Sequence, residues 1–438
     1  MKYHARPTSV PLRGQVRVPG DKSISHRAVL FSAMAQGTSH LTGVLDSADV
    51  RSSIDAVEAL GASVEIISEG GGALELQIAG WGGDGPAAPA QAIECGNSGT
   101  TARLLMGILA GWDRHVVLQG DESLSLRPMA RVTEPLAEMG AVFETRGGLL
   151  PVGVRGGFLR AGTHELRVAS AQVKTAVLLA GLRADGRTVV TEPAPSRDHT
   201  ERMLPAFGVP VGRDPEACRA WVDGPDYLKA TDVTVPADPS SAAFLVAAAL
   251  LVPDSDVVLP DVDINPTRTG FLRVVARMGA SVSVDLGEVM GGEPTATLRV
   301  RYSPVLHATT VTAEEVPSLI DEIPILAIVA CAAEGTTRFE GVRELRVKES
   351  DRLEAIAEGL TALGCTVRAG DEWLEVQGPC TFGAAAVDSR GDHRLAMAYA
   401  VAALSARGVV TIDRFEAMEV SYPSFVADIA ALGISERS

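Results

Sequence analysis

The sequence predicts an α/β fold of two domains, each built from three copies of one βαβαββ-type unit around buried helices. Three features carry this expectation. The chain has 438 residues, more than one compact core usually organises and natural for two. A polar cluster followed by an Ala-rich apolar helix, a Gly turn and a strand recurs six times. A second, amphipathic helix accompanies the first and often ends in a Gly-Ala step before another strand.

The six copies can be read in order. Gly20-Asp21-Lys22-Ser23 leads into HRAVLFSAMAQG, and Gly96-Asn97-Ser98-Gly99 into TTARLLMGILAG. Ser170-Ala171-Gln172 leads into VKTAVLLAGLRADG, and Asp238-Pro239-Ser240-Ser241 into AAFLVAAALL. Asp321-Glu322 leads into IPILAIVACAAEG, and Gly391-Asp392-His393-Arg394 into LAMAYAVAALSARG. A helix that is apolar almost all round belongs inside, among sheets and other helices. Its Ser, Asn and Asp starts are N-cap residues. Three such starts per domain suggest one shared polar face, and free N–H groups at helix N-termini favour anions there. The amphipathic partners include VRSSIDAVEALGASVEI, MARVTEPLAEMGAVFET, RTGFLRVVARMGASVSV and SDRLEAIAEGLTALGCTVRA.

Three copies fall in a domain spanning 21–236. The other three fall in a domain spanning 237–438, which an N-terminal strand from about Ser9 to Val18 is expected to join, so that it also takes residues 1–20. The two crossings, near Gly20–Asp21 and Pro236–Ala237, would act as a hinge that closes on ligand.

A formal net charge of −16 repels nucleic acid and anionic membrane surfaces, so neither is expected as a partner. An anionic substrate would then need its own cluster of Lys and Arg. The five cysteines are scattered and form no Cys-x-x-Cys pair, and the histidines show no metal-ligand spacing, so no metal is expected. The N-terminus lacks an apolar signal, and the apolar runs are too short to span a bilayer, which makes the cytoplasm the expected location.

Eight segments in order, PGDKSISHR (19–27), GNSGTTARLL (96–105), SLRP (125–128), SAQVKTAVLLAG (170–181), SRDHTER (196–202), DEIPILA (321–327), RVKESDRL (346–353) and GDHRLAM (391–397), resemble the 5-enolpyruvylshikimate-3-phosphate (EPSP) synthase family. The resemblance spans nearly the whole chain. It implies two domains around buried parallel helices, an inside-out α/β barrel arrangement. It also implies a monomer without cofactor that moves the enolpyruvyl group of phosphoenolpyruvate onto the 5-hydroxyl of shikimate 3-phosphate, by addition and then elimination of phosphate.

The same resemblance assigns residues. The two phosphates and a carboxylate carry roughly −5, so several cations must converge. Shikimate 3-phosphate falls to Lys22, Ser23, Arg27, Ser170, Ala171, Gln172, Arg197, Asp321 and Lys348. Phosphoenolpyruvate falls to Lys22, Asn97, Gly99, Arg127, Gln172, Lys348, Arg352, His393 and Arg394. The catalytic set is Asp321, which takes the 5-hydroxyl proton, Glu349, which protonates the methylene carbon, and Lys22, which bridges both substrates. Asp321 could instead merely cap its helix, Glu349 could merely pair with a helix-start cation, and His393 could be a contact or a cap. Arg103 is expected to pair with a structural carboxylate, and Lys174 to be an ion-pair partner.

One departure stands out. Where some members have a Lys before Thr-Phe-Pro near the C-terminus, this chain reads Val420-Ser421-Tyr422-Pro423. GDKS (20–23), SAQVK (170–174), RDHTE (197–201) and NPTR (265–268) match class II of the family, some members of which tolerate glyphosate. The open space expected beside the Cα of Gly99 points the other way, to inhibition. A related transferase of cell-wall synthesis, acting on a UDP-sugar, usually carries a reactive Cys near SLSLRP, which is absent here. A catalytically silent relative of the same fold would not need the set Lys22, Asp321, Lys348 and Glu349.

Overall fold

The computed structural model describes residues 1–433, and these divide into two compact units. The first unit comprises Gly20–Pro236 and the short segment Val289–Glu293; the second comprises Met1–Pro19, Ala237–Glu288 and the chain from Pro294 onward. The sequence pattern does not anticipate the 289–293 segment. It is the turn between two long strands, Ser281–Met290 and Glu293–Arg301. Its Glu293 carboxylate meets His199 Nδ1 at 2.7 Å, a side-chain pairing that strand alternation cannot reveal.

Three inner helices organise the first unit: Lys22–Met34, Gly99–Ala110 and Ala171–Gly181. Each starts at a side chain that satisfies an orphan N–H. Asp21, Ser98 and Ser170 accept from the amides of Ile24, Thr101 and Val173. Beyond the first turn nearly every residue is buried, which the Ala-rich composition permits because small side chains let helices approach closely. Gly107 shows how closely: a Cβ there would lie 2.3 Å from the Ala176 carbonyl oxygen, so only glycine fits between the second and third inner helices.

Three sheets surround these helices. Thr38–Leu45 pairs with Val233–Thr234 and Ala73–Ala79, His115–Gln119 with Ile93–Glu94 and Leu149–Arg155, and Ala184–Thr191 with Thr163–Glu165 and Arg219–Gly224. In each, the strand leaving an inner helix runs parallel to a short strand and antiparallel to one strand of a hairpin.

The second unit repeats this plan with inner helices Pro239–Leu251, Ile323–Ala332 and His393–Leu404. Its sheets centre on Asp256–Asp263, Ala333–Glu340 and Val410–Asp413. The third departs from the plan: Val410–Asp413 takes its antiparallel neighbour, Lys2–Ala5, from the N-terminus.

Two strands are exchanged where the chain passes between units. Arg13–Gln15 precedes the first inner helix in sequence but pairs with Asp256–Asp263 of the second unit. Val233–Thr234 precedes the fourth inner helix but pairs with Thr38–Leu45 of the first. The single N-terminal strand expected from Ser9 to Val18 is two short strands, Lys2–Ala5 and Arg13–Gln15. Pro7 and Pro11 lie between them, and proline cannot donate to a sheet ladder.

Candidate active site

In each unit, the polar starts of the inner helices gather the residues that the sequence singles out. In the first unit, Lys22 opens its helix and its ammonium forms an ion pair with Asp49, near the start of the Ala48–Ala59 helix. Arg27 is buried one turn further on. Its Nε donates to Thr200 Oγ1 at 2.8 Å, its Nη2 to Thr175 Oγ1 at 2.9 Å and its Nη1 to the Ser23 carbonyl at 3.0 Å. Burial pulls its pKa down to about 10, against the pull of Glu201 and Asp21, so it stays protonated at neutral pH.

Around the second inner helix, Arg127 Nη2 donates to Asn97 Oδ1 at 2.7 Å, and Asn97 Nδ2 donates to Asp121 Oδ2 at 2.8 Å. Arg103 does not find the expected carboxylate. Its Nη1 donates to Gln172 Oε1 at 2.6 Å, and the Gln172 amide donates to Thr100 Oγ1 at 2.9 Å. Burial, with Arg127 and Arg131 beside it, lowers the Arg103 pKa to about 10. Arg103 also fills the space expected beside Gly99: a Cβ on Gly99 would come within 3.1 Å of Arg103 Nη1.

At the third inner helix, Ser170 caps with its side chain while its own amide donates to Glu192 Oε1 at 2.9 Å. Ala171 and Gln172 form the first turn. Lys174 lies in a buried triad, 2.8 Å from Glu192 and 2.9 Å from Glu201. Arg197 is half-buried just before the His199–Met203 helix that carries Thr200 and Glu201.

The second unit gathers Asp321, Lys348, Glu349, Arg352, His393 and Arg394 in one charged cluster. Arg352 opens the Arg352–Ala362 helix and is fully buried. Its Nε meets Asp392 Oδ2 at 2.6 Å, its Nη2 meets Glu349 Oε2 at 2.5 Å and its Nη1 meets Asp321 Oδ1 at 3.2 Å. Burial disfavours its charge, but Asp392, Glu349 and Asp321 outweigh that and raise its pKa. Lys348 Nζ lies 3.4 Å from Asp321 Oδ1. Arg394 Nη1 donates to the Asp321 carbonyl at 3.1 Å, and its Nη2 lies 3.9 Å from Asp321 Oδ2. Burial also disfavours the Glu349 carboxylate, yet Arg352, His393 and Lys348 hold its pKa well below the usual range.

The alternative roles can now be weighed. The N-cap position of the helix at Ile323 is Glu322, and the Asp321 carboxylate meets Lys348, Arg352 and Arg394. Asp392, not His393, caps its helix, accepting from the Arg394 amide at 2.9 Å. Glu349 does pair with a helix-start cation, which leaves a chemical role open to it.

Residues 7–429 match the sequence profile of EPSP synthase (3-phosphoshikimate 1-carboxyvinyltransferase). The chain belongs to the EPSP synthase family. A 3-phosphoshikimate 1-carboxyvinyltransferase of Halorhodospira halophila is 51% identical over 425 residues, covering 97% of this chain and 94% of that one. One from a Synechococcus strain is 49% identical, covering 96% of this chain and 97% of that one. The solved EPSP synthase of Acinetobacter baumannii superposes with a TM-score of 0.90 at 40% identity, over 99% of this chain and 98% of that one. An enolpyruvyl transferase of Streptomyces tendae shares the fold, with a TM-score of 0.77 at 20% identity over 99% of this chain and 97% of that one.

In this EPSP synthase family member, several supporting residues lie outside the set expected from the sequence. Asp392 sits inside GDHRLAM and Thr200 inside SRDHTER, so both were available as buried polar groups within recognised motifs. Thr175 likewise lies inside SAQVKTAVLLAG, whereas Asp49, Asp121 and Glu192 carry no comparable signal, because their partners are distant in sequence.

Proposed function

We propose that this chain transfers the enolpyruvyl group of phosphoenolpyruvate to the 5-hydroxyl of shikimate 3-phosphate and releases phosphate. The observation that carries the reading is the Asp321–Lys348–Glu349–Arg352 cluster, which places two carboxylates of different surroundings beside one buried guanidinium. Addition requires that the hydroxyl lose a proton while the methylene carbon gains one, and elimination reverses the carbon transfer. Asp321, bridged to Lys348 and Arg352, takes the hydroxyl proton in this reading, and Glu349 serves the carbon.

The first unit supplies recognition. Of the residues that the family resemblance assigns to shikimate 3-phosphate, Ser23, Arg27, Ser170, Ala171, Gln172 and Arg197 lie in the first unit and Lys348 and Asp321 in the second. Asn97, Gly99, Arg127 and Gln172 serve phosphoenolpyruvate, with Lys348, Arg352, His393 and Arg394. Lys22 serves both, and Asp49 holds its ammonium at the helix start. Arginine suits these tasks because its planar fork matches carboxylate and phosphate oxygens two at a time. We also read the protein as a cytoplasmic monomer. Each unit buries its own apolar core, and among the described residues no helix is long and apolar enough to cross a membrane.

The test is phosphate release. Purified protein given both substrates should liberate phosphate, and omission of either should abolish it. Release from phosphoenolpyruvate that is indifferent to shikimate 3-phosphate would sink the reading.

A further inference from the structure

The guanidinium of Arg352 has five N–H groups and two edges able to take a carboxylate side-on. Asp392 holds the Nε–Nη2 edge, with Oδ2 2.6 Å from Nε and Oδ1 3.4 Å from Nη2. Glu349 and Asp321 share the Nη1–Nη2 edge, at 2.5 and 3.2 Å. Both side-on edges are therefore already on protein carboxylates. A ligand carboxylate can take either edge with both oxygens only by displacing one of them.

The three carboxylates differ in how readily they leave. Asp392 is fully buried and caps the His393–Leu404 helix, so moving it would uncap the helix as well. Asp321 keeps Lys348 and Arg394 if it loses Arg352. The Glu349 side chain is 32% exposed, precedes the helix and makes its ion pair with Arg352 alone. Glu349 is the group free to move.

Resting on the functional reading above, we propose that Glu349 and the carboxylate of phosphoenolpyruvate compete for the Nη1–Nη2 edge of Arg352, so that substrate binding releases Glu349 from its ion pair. The groups facing Glu349 then change in balance. Arg352 is neutralised by the substrate, Lys348 and His393 remain as cations or dipoles, and Asp321 remains as a repelling carboxylate. Asp321, and the protein that covers the larger part of the Glu349 side chain, now favour the protonated form, and its exposed part lets Glu349 take a proton from solvent. That proton passes to the methylene carbon as the C–O bond to the 5-hydroxyl oxygen forms and Asp321 accepts the hydroxyl proton. When the C–O bond to phosphate breaks and the C=C bond re-forms, the methyl group returns a proton to Glu349 and Asp321 passes the hydroxyl proton to the departing phosphate. Arg352 thus couples arrival of the substrate to arming of the acid, and Asp392 decides which edge is exchanged.

The experiment compares phosphoenolpyruvate with vinyl phosphate, which keeps the phosphate and methylene groups but lacks the carboxylate. Affinities are measured with shikimate 3-phosphate present, for the native enzyme and Glu349→Gln. Competition predicts that Glu349→Gln binds phosphoenolpyruvate about tenfold more tightly, a coupling typical of one removed charge contact. Vinyl phosphate affinity should stay within about twofold. Turnover and exchange of the methylene hydrogens with solvent should fall in the same variant. Equal tightening of both ligands would reduce the effect to general charge repulsion and overturn the exchange, as would unchanged phosphoenolpyruvate affinity. A second readout needs only native protein. The carbon-13 carboxyl signal of Glu349 should titrate at higher pH when phosphoenolpyruvate is added and not when vinyl phosphate is; an unmoved midpoint overturns the proposal. Native phosphate release is followed in parallel, so its absence fails the function, while its presence with an unmoved Glu349 fails only the exchange.

Discussion

Three arginines around the inner helices of the first unit and two in the charged cluster of the second are held in opposite ways. In the first, Arg27, Arg103 and Arg127 end on hydroxyls, amide oxygens and main-chain carbonyls, and none forms an ion pair with a carboxylate among the described residues. In the second, Lys348, Arg352 and Arg394 face Asp321, Glu322, Glu349 and Asp392. Neutral partners orient a guanidinium without cancelling its charge, so the first unit offers positive potential to an anion as it stands. Carboxylate partners offset the charge, and under the proposed exchange an anion would replace one of them and leave that carboxylate available for proton transfer. In a chain of net charge −16, such a division would let one half attract anions while the other keeps acid–base groups, as the proposed function requires.

The largest effect should come from the second unit. Asp321→Asn keeps the shape but cannot take the hydroxyl proton. Turnover should fall by roughly 10²–10⁴, the usual loss for a missing general base. Substrate affinities should stay within about tenfold, since Arg352 and Lys348 retain other partners or gain freedom. Steady-state kinetics with both substrates varied decides it. Near-normal turnover would leave Asp321 with only an ion-pair role and erase the contrast between the units.

Much of this organisation was legible beforehand, for physical reasons that differ by feature. The six inner helices declare themselves because an all-apolar run with an Asp or Ser start has few alternatives to a capped buried helix; Asp21, Ser98, Ser170, Asp238 and Asp392 all cap as their residue types suggest. Positions such as Arg352 and Gln172 were marked by motif, but their partners were not. Arg103 was expected to meet a carboxylate and instead binds Gln172, 69 positions away, because pairing across inner helices depends on helix packing rather than on local pattern. The N-terminal strand was expected to join the second unit, and Arg13–Gln15 does pair there, whereas the return exchange at Val233–Thr234 was hidden, because a two-residue strand carries little periodicity and its pairing is set by tertiary context.

Lys174 tests a first-unit cation that, like Lys22, does sit on a carboxylate. Its side chain and those of Glu192 and Glu201 are all at most 6% exposed. Lys174→Met would leave two buried carboxylates without their cation and should lower stability by about 3–5 kcal/mol. Denaturant unfolding measures this, and a loss below about 1 kcal/mol would show that the triad is not needed. The pH dependence has a definite sign. Burial works against the Lys174 charge, but Glu201 and Glu192 prevail and raise its pKa above the ordinary 10.5. The stabilisation is therefore fully present below the unfolded-state pKa and fades only as pH rises through the folded value, with no change from this group across neutrality. Arg127→Gln probes the unexceptional arrangement. With no carboxylate to strand, stability should hold, and the phosphoenolpyruvate KM should rise by roughly 10–150-fold, as expected for one lost charge-assisted contact.

The smallest effect belongs to Gly99. Were the space beside its Cα open, an added methyl would act only by shortening the pocket, and glyphosate and phosphoenolpyruvate would respond independently. The space instead holds Arg103, whose Nη1 would lie 3.1 Å from the new Cβ, with Leu124 Cδ1 at 3.5 Å. Gly99→Ala must therefore push the guanidinium by a few tenths of an ångström against its 2.6 Å bond to Gln172. An adjustment of that size costs about 1 kcal/mol, so the phosphoenolpyruvate KM should rise roughly fivefold. The glyphosate inhibition constant should rise with it, because both ligands meet the same displaced arginine. A double-mutant cycle separates the two accounts. If Gly99 acts through Arg103, then Gly99→Ala should have little further effect in a Gln172→Ala background, where the bond it disturbs is already gone. If the two changes add in full, the methyl acts on the ligand directly, and Arg103 is a bystander to discrimination at this position.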